Sequence, residues 1–279
     1  PYITDTIRRL SKSLADLTIP WQIIIADNGS TDQTKQTIQE LIRTWSYVHG
    51  PGYSLSNQDH VPRTMDQSVG SVPRTQDQLV YLECPKVGKG SAIRFAAEQT
   101  PDDASSSPPQ ADPPRNTKFE IRNSNQNQFF GFIDADLSAD PDAIVGMVTR
   151  LLEDKADIVI ASRLLITKTT NRSWLRTLSS KLFNFLADLF LNLKVADAQC
   201  GLKIMNERGL KILRECQEDG WFLDIEFLAK ARQDRLRIAE VPVPWLEFRY
   251  PNRKSQIHHF RDGIEAIKAI LRIYKDFRT

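Results

Sequence analysis

Two aspartates, Asp134 and Asp136, stand one residue apart directly after the apolar run 129–133. The run is aromatic and β-branched, which is typical of a buried strand. Pro141 and the apolar residues within 144–152 predict a helix immediately afterwards. The two carboxylates are therefore expected at the carboxyl end of a central strand, where open α/β sheets bind their ligands.

Two carboxylates at this spacing can approach a single hard divalent cation. Mg²⁺ and Mn²⁺ prefer such oxygen ligands, and Mg²⁺ is usually shared with substrate phosphates. The sequence thus predicts a metal-bridged diphosphate at Asp134 and Asp136. The alternative is a solvated acidic turn, and the position between an apolar run and a Pro-started helix favours the metal.

A second apolar strand, predicted over residues 21–26, also ends in polar residues. Asp27, Asn28 and Gly29 follow it and precede another helix. An aspartate at a strand end can accept hydrogen bonds from a nucleotide base or a ribose. Ordinary turn and helix-cap chemistry is the alternative, and it stays open for this motif alone.

Two glycines and two lysines come just before the third predicted helix, within residues 86–94. Free backbone N–H groups and the helix dipole favour anions at such a position, so the segment suits a phosphate or a nucleotide. Its spacing excludes a Walker A loop. A flexible basic turn is the simpler interpretation of this segment alone.

The length of 279 residues allows one large α/β domain or two small ones. The net charge of +2 points to no particular partner, and we expect no nucleic-acid binding. Cys84, Cys200 and Cys216 lack metal-ligand spacing and are odd in number, which favours a reducing compartment. Neither a signal peptide nor an apolar run of about 20 residues is visible, so we expect a soluble chain or one peripheral to a membrane.

The chain is expected to form one catalytic domain, residues 1–257, followed by a basic amphipathic helix, residues 258–279. Two low-complexity inserts, about 46–78 and 101–128, interrupt the domain. The terminal helix either lies on an anionic membrane surface or packs on the core with a solvated basic face.

Three further elements are predicted in the second half. Residues 156–161 form a buried strand that ends at Ser162 and Arg163, and residues 173–193 form a long helix that carries Arg176. Residues 238–245 form an extended edge segment, because their prolines exclude a central strand.

Six motifs, taken together in order, resemble the family 2 glycosyltransferases with a GT-A fold. They are Asp-Asn-Gly-Ser-Thr-Asp from residue 27, Gly-Lys-Gly from 88, Asp-Ala-Asp-Leu-Ser from 134, Ala-Ser-Arg from 161, Asp-Ala-Gln-Cys-Gly-Leu-Lys from 197 and Trp-Phe-Leu-Asp-Ile-Glu-Phe-Leu from 221. The polyprenyl- or dolichyl-phosphate glucosyl and mannosyl synthases are the most similar branch. The resemblance implies a Rossmann-like α/β fold of three α/β/α layers with a mostly parallel central sheet.

The resemblance also implies a nucleotide-sugar donor, a divalent cation (Mg²⁺ or Mn²⁺) and a lipid-phosphate acceptor. UDP-glucose is the favoured donor and GDP-mannose the alternative. The implied roles are as follows: Asp27 and Asn28 on the uracil or its ribose, Lys89 and Arg94 near the nucleotide, Asp134 and Asp136 on the metal and the donor diphosphate, Arg163 and Arg176 on the acceptor phosphate, Asp197 as a catalytic base or an orienting group, and Asp224 and Glu226 as further acidic candidates.

The chemistry of such a transfer suits these residue types. A phosphate monoester is already largely deprotonated near neutral pH, since its second pKa is about 6. A strong general base is thus less needed than for a sugar hydroxyl. The harder tasks are to bring two anions together and to stabilise the leaving nucleoside diphosphate, which a metal and arginines do. We expect inversion at the anomeric carbon by one in-line displacement.

Two departures from the family pattern keep other functions open. Asn28 stands where the family usually has a second aspartate. The chain also passes from Pro1 and Tyr2 straight into a helix, so the family's first strand is missing from the pattern. The chain is then a fragment, or it lacks one wall of the donor site and is weakly active or inactive.

Two other functions fit parts of the pattern, and the favoured function implies a cellular location. A degenerate GT-A protein would bind a partner or lipid without turnover, and Asp134-Ala135-Asp136 also resembles the nucleophile motif of haloacid-dehalogenase-type phosphatases. For the favoured glycosyltransferase we expect the cytoplasmic face of a membrane: the endoplasmic reticulum in a eukaryote, the inner membrane in a bacterium.

Overall fold

The computed structural model describes residues 2–17, 19–48, 79–100, 128–165, 186–246 and 259–276. The helices are α1 (Tyr2–Leu14), α2 (Thr34–Val48), α3 (Lys89–Glu98), α4 (Ala143–Leu152), α5 (186–191), α6 (Glu207–Arg214), α7 (Leu223–Gln233) and α8 (His259–Asp276). The strands are β1 (Ile23–Asp27), β2 (Leu79–Glu83), β3 (Phe129–Ile133), β4 (Ile158–Ser162), β5 (Leu202–Asn206) and β6 (Ile238–Pro242).

The strands pair in two groups. β1 and β2 form a parallel pair, with Ile23 opposite Leu79. The other four strands lie in the order β3-β5-β4-β6, in which β5 is antiparallel to both β3 and β4 while β4 and β6 are parallel. The predicted α/β fold is confirmed, but among the described strands the sheet is small and mixed and does not show the mostly parallel order that was predicted. β5 begins at the same edge of the sheet at which β4 ends, so β5 runs antiparallel to β4.

The reversed strand brings the functional motifs to one edge of the sheet. β3, β4 and β6 point the same way, so their carboxyl ends lie at the same edge as the amino end of β5. Asp134 follows β3, Arg163 follows β4, and residues 197–201 precede β5. The Asp134 N–H donates to the Gly201 carbonyl at 3.1 Å, which joins two of these loops directly.

Helices cover both faces of the sheet. All five residues of β4 are buried, and Ile158 and Ile160 face one apolar cluster while Val159 and Ala161 face the other. The first cluster is built with α3, α6, α7 and α8, and the second with α1, α2 and α4. This alternation agrees with the predicted α/β/α layering, in which a central strand is apolar on both faces.

The predicted boundaries hold for several elements and differ for others. β6 is the edge strand of its sheet, which confirms the prediction made from its prolines. α2 continues to Val48, so the first three residues of the predicted insert 46–78 are helical. Most of both inserts, and residues 173–185 of the predicted helix 173–193, lie outside the described residues. Within the described ranges, no helix combines the length and apolarity that a membrane span requires.

The three cysteines are free and buried. Burial raises the pKa of the Cys84 thiol to about 11, and burial followed by the charge of Asp197 does the same for Cys200. These thiols therefore stay protonated at neutral pH, where they pack as small apolar groups.

Candidate active site

The acidic turn after β3 is held by its own backbone and by a glycine. The Leu137 N–H donates to the Asp134 carbonyl at 2.9 Å, and the Ser138 N–H donates to Asp136 Oδ1 at 3.0 Å. A Cβ on Gly201 would lie 1.9 Å from Asp134 Oδ2, so only glycine lets this loop approach the carboxylate. Leu137, fully buried, has a φ of 47°, a region that non-glycine residues rarely adopt. Packing thus fixes the turn while about a third of the Asp134 side chain stays exposed.

Lys89, the first residue of α3, is bound to two carboxylates. Its Nζ lies 3.0 Å from Asp134 Oδ1 and 3.3 Å from Asp224 Oδ2. The same ammonium lies 5.7 Å from the ring centroid of Trp221, an exposed side chain. Burial lowers the pKa of Lys89, but the charges of Asp224 and Asp134 outweigh burial and raise the pKa above its ordinary value. Lys89 therefore stays a cation beside Asp134 at neutral pH.

A second lysine, Lys203 on β5, is fully buried. Its Nζ donates to Asp224 Oδ1 at 2.5 Å and to the Cys200 carbonyl at 2.6 Å, and it lies 5.5 Å from the centroid of the Phe132 ring. Burial acts to raise the pKa of Asp224, yet Lys203 and then Lys89 hold it below its ordinary value. Asp134, Lys89, Asp224 and Lys203 thus form a continuous chain of ion pairs.

Sequence reasoning missed Lys203. It named Asp224 as an acidic candidate without a partner. The available signal was a lysine inside the apolar strand Leu202–Asn206, because a charge in such a position requires a counterion.

Arg163 and Asp197 form a two-pronged ion pair at the end of β4. Arg163 Nε and Nη2 each lie 2.6 Å from an Asp197 oxygen, and the Arg163 backbone N–H donates to Asp197 Oδ2 at 2.9 Å. The Asp197 side chain is fully buried, and the guanidinium lies 4.7 Å from the ring centroid of Trp245. Burial lowers the pKa of Arg163, but Asp197 outweighs burial and raises it.

This geometry distinguishes between the two roles considered for Asp197. Both of its oxygens accept hydrogen bonds from Arg163, and none of its side chain is exposed to a substrate. The orienting role is thus favoured over the catalytic base. The guanidinium Nη1 takes no part in these Asp197 bonds.

Glu240 on β6 supports the same loop, and sequence reasoning missed it as well. Its two oxygens accept the N–H groups of Ala196 at 2.8 Å and of Asp197 at 3.1 Å. A carboxylate on an edge strand gives little sequence signal, because its partners are backbone groups more than forty residues away.

Asp27 and Asn28 bind the protein's own groups. Asp27 accepts the Tyr81 hydroxyl at 2.7 Å and the Ser30 N–H at 2.9 Å, and Asn28 Oδ1 accepts the Gly88 N–H. Burial opposes ionisation of Asp27, but the bonds from Tyr81 and Ser30 prevail and lower its pKa. These contacts tie β1 to β2 and to the turn before α3, while a contact with a base or ribose stays a prediction.

The glycines before α3 serve a close approach of two backbone segments. A Cβ on Gly88 would lie 2.2 Å from the Asp219 carbonyl oxygen. The Gly90 N–H donates to the Gly220 carbonyl at 3.1 Å, and the Ser91 N–H donates to that of Asp219 at 3.0 Å. Two of the backbone donors that suited a phosphate in the sequence, those of Gly90 and Ser91, are therefore bonded to the loop before α7.

Arg94 ties α3 to that same loop. Its Nη1 donates to the Cys216 carbonyl at 2.8 Å and its Nη2 pairs with Asp219, to which the exposed Lys86 also binds. Glu226 also binds this loop, because its carboxylate accepts the Gln217 N–H at 2.9 Å. The predicted nucleotide contact of Arg94 stays a prediction.

Arg176, the second arginine predicted for the acceptor phosphate, lies outside the described residues.

The donor set at the acidic turn suits a hard cation in its chemistry. Asp134 and Asp136 supply carboxylate oxygens, and a cation of the Mg²⁺ class takes its other ligands from water and substrate phosphate. Among the described residues there is no cluster of three or more His, Cys, Asp or Glu side chains that could hold a metal ion. A divalent cation at Asp134 and Asp136 stays a prediction.

Comparisons with known proteins agree with the motifs. The family model described as glycosyl transferase family 2 matches residues 115–213, a span that includes Asp134, Asp136, Arg163 and Asp197. Glycosyltransferase AglD of Haloferax volcanii is 31% identical over 144 residues, which are 51% of this chain and 22% of that protein. The dolichyl-phosphate beta-glucosyltransferase of Saccharomyces cerevisiae is 28% identical over 88% of this chain and 62% of its own length. The one from Dictyostelium discoideum is 23% identical over 97% of this chain and 68% of its own length.

Solved structures show the same fold. Glucosyl-3-phosphoglycerate synthase from Mycobacterium tuberculosis in complex with UDP aligns with a TM-score of 0.56 at 17% identity, covering 97% of this chain and 75% of that one. The complex of the same enzyme with Mn²⁺, UDP and glucosyl-3-phosphoglycerate aligns with a TM-score of 0.53. The chain spans about a fifth of the archaeal relative and about three fifths of the yeast one.

Proposed function

We propose that this chain, which matches the family 2 glycosyltransferase model over residues 115–213 and shares the fold of GT-A structures, transfers a hexose, glucose in the first instance, from a nucleotide sugar to a polyprenyl or dolichyl phosphate. The observation that carries the proposal is the meeting of an acidic pair and an oriented arginine at one edge of the sheet. The Asp134 N–H donates to the Gly201 carbonyl at 3.1 Å, and Asp197, which holds Arg163, lies in the same loop as Gly201, so the two groups border one site. The match to the family 2 glycosyltransferase model favours this function over the phosphatase alternative.

The donor half of the proposed site is the turn with Asp134 and Asp136. A bound Mg²⁺ or Mn²⁺ would neutralise negative charge on the donor diphosphate and on the departing nucleoside diphosphate. The relatives' names favour glucose as the sugar, and a structure of the same fold was solved with UDP, so UDP-glucose is the favoured donor and GDP-mannose is the alternative.

The acceptor half is Arg163, held in place by Asp197. Guanidinium nitrogens match phosphate geometry, and a pre-oriented arginine loses little side-chain freedom on binding. The acceptor phosphate is already an anion, so its oxygen attacks the anomeric carbon without a general base. The bond from that carbon to the nucleoside diphosphate breaks as the new bond forms on the opposite side, which inverts the configuration.

Calorimetric titration with UDP and GDP, in Mn²⁺ and then in EDTA, tests the donor site. We expect one nucleotide to bind, and we expect EDTA or Asp136→Ala to weaken that binding by about tenfold, a coupling typical of two linked ligands. Asp140→Ala, in the same turn, is the matched control and should bind like the wild type. If neither nucleotide binds in the presence of Mn²⁺, the proposed function is wrong.

We further propose that the chain works at the cytoplasmic face of a membrane and docks through α8. Its buried face holds Ala269, Ile270 and Ile273, while Ile267 and Leu271 are exposed apolar side chains. The exposed basic residues beside them are Lys268, Arg272 and Lys275. A helix with an exposed apolar stripe and a basic stripe is suited to an anionic lipid surface, where the acceptor resides.

Flotation with vesicles tests this docking surface. The chain should float with vesicles of anionic lipid and much less with vesicles of neutral lipid. Each lysine near such a surface contributes about 1 kcal/mol, so reversing Lys268 and Lys275 to glutamate should reduce binding by tenfold or more. Lys12→Glu on α1 removes an exposed lysine elsewhere and should change binding little. Equal flotation of the double variant and the wild type would contradict the docking surface.

A further inference from the structure

The two lysines of the ion-pair chain differ in how firmly they are held. Lys203 has no exposed side-chain surface, and Asp224, the Cys200 carbonyl and the Phe132 ring surround its ammonium. Lys89 keeps 15% of its side chain exposed, and one of its two carboxylate partners, Asp134, keeps 34% exposed. Lys203 is thus a fixed counterion, whereas Lys89 is at the open end of the chain.

We propose that the Lys89 ammonium occupies the place of the divalent cation at Asp134 and leaves that carboxylate when the cation and the donor bind. This inference rests on the proposed function, because it takes Asp134 as a metal ligand. Lys89 Nζ lies 3.0 Å from Asp134 Oδ1, and a divalent cation on the same carboxylate would repel an ammonium at that distance. The two cations therefore exclude one another at Asp134.

Two groups other than Asp134 can bind the Lys89 ammonium, namely Asp224 and Trp221. Asp224 Oδ2, 3.3 Å from the ammonium, is a second carboxylate partner that remains when Asp134 binds the cation. The exposed ring of Trp221 offers a cation–π contact on the solvent side, 5.7 Å from the ammonium in this structure. A displaced Lys89 thus stays a cation at the mouth of the site, where a donor diphosphate can accept its hydrogen bonds.

Charge balance then links metal binding to nucleotide binding. The carboxylates of Asp134 and Asp224 balance the ammonium groups of Lys89 and Lys203. Asp136, the second carboxylate of the proposed metal site, offsets one charge of a divalent cation, so the cation alone leaves one uncompensated positive charge, and a nucleoside diphosphate removes that excess. The cation should therefore bind weakly by itself and tightly with the nucleotide, and Lys89 is the residue that imposes this coupling.

Electron paramagnetic resonance of Mn²⁺, titrated with and without UDP, measures the coupling directly. In the wild type we expect UDP to raise Mn²⁺ affinity by about tenfold or more. Lys89→Met should bind Mn²⁺ alone about fivefold to tenfold more tightly than the wild type, with a smaller further gain from UDP. Lys86→Met removes a neighbouring exposed lysine paired with Asp219 and is the matched control, with a change below about twofold.

The outcomes separate this inference from the proposed function. If UDP-dependent Mn²⁺ binding is present in the wild type but Lys89→Met binds Mn²⁺ alone no better, only the inference is overturned. If neither protein binds Mn²⁺ even with UDP, the proposed metal site and the inference both fall. Lys89→Gln, which keeps a hydrogen-bond donor without the charge, should give the same tighter binding and serves if the methionine variant does not fold.

Discussion

Replacing Lys203 by methionine is expected to lower the free energy of unfolding by about 3–5 kcal/mol, the usual cost of breaking a buried ion pair from one side. Methionine preserves most of the side-chain volume, so the loss comes mainly from the charge. Asp224 is nearly fully buried and would keep only the ammonium of Lys89, at 3.3 Å. The Cys200 carbonyl would also lose the bond that Lys203 donates to it.

Urea denaturation of the variants, followed by circular dichroism, measures this change through the transition midpoint and slope. Lys86→Met is the matched control, because its exposed pair with Asp219 should contribute less than about 1 kcal/mol. The double variant Lys203→Met with Asp224→Asn removes both charges and should recover at least half of the loss. A Lys203→Met protein within 1 kcal/mol of the wild type would contradict a buried ion pair at this position.

The strand before the acidic pair could be predicted because its signals are local. The signals lie within about twenty consecutive residues: an apolar run, two aspartates and a helical pattern after a proline. Each of these local patterns indicates strand, turn or helix without reference to distant residues. The structure has β3 at Phe129–Ile133, but α4 begins at Ala143, so Pro141 lies in the turn before the helix and not at its first position. The position of β6 could also be predicted, because its prolines restricted it to an edge.

The direction of β5 could not be predicted in this way. Its apolar residues fit a buried strand of either direction, and direction depends on the edge at which the chain re-enters the sheet. That reversal brings residues 197–201 to the acidic turn after β3. The geometry of the site thus depends on a tertiary choice that the local pattern does not encode.

Glycine was the most ambiguous signal. Gly88 and Gly90 were interpreted as suiting a phosphate or a nucleotide, and in the structure the group that approaches them closely is the protein's own loop at Glu218 and Asp219. A glycine that accommodates a phosphate and one that accommodates a carbonyl look the same in a sequence. Buried ion pairs are ambiguous for a similar reason, since the partner of Lys203 lies twenty-one residues away on a helix.

Changing Asp197 to asparagine should lower kcat/KM for a polyprenyl phosphate acceptor by about a hundredfold while leaving nucleotide binding within about twofold. Asparagine retains one carbonyl oxygen but places an amide N–H₂ against the donors of Arg163. Both prongs of the ion pair, 2.6 Å each, cannot then form. The guanidinium would lose its fixed orientation, and misplacement of a substrate-binding group by about 1 Å is enough for such a loss.

The control must separate positioning from stability. Asp157 is also buried and binds two arginines, Arg237 and Arg208, but it precedes β4 and so lies at the opposite edge of the sheet from Asp197. Asp157→Asn should therefore destabilise the fold without lowering kcat/KM at a temperature where the protein stays folded.

The pH profile separates the two roles of Asp197 itself. An orienting residue lowers the rate equally across the pH range, whereas loss of a general base would remove the limb of the profile that its ionisation produces. Asp197→Asn activity equal to that of the wild type would contradict both roles, and Arg163 would then require no partner to bind the acceptor.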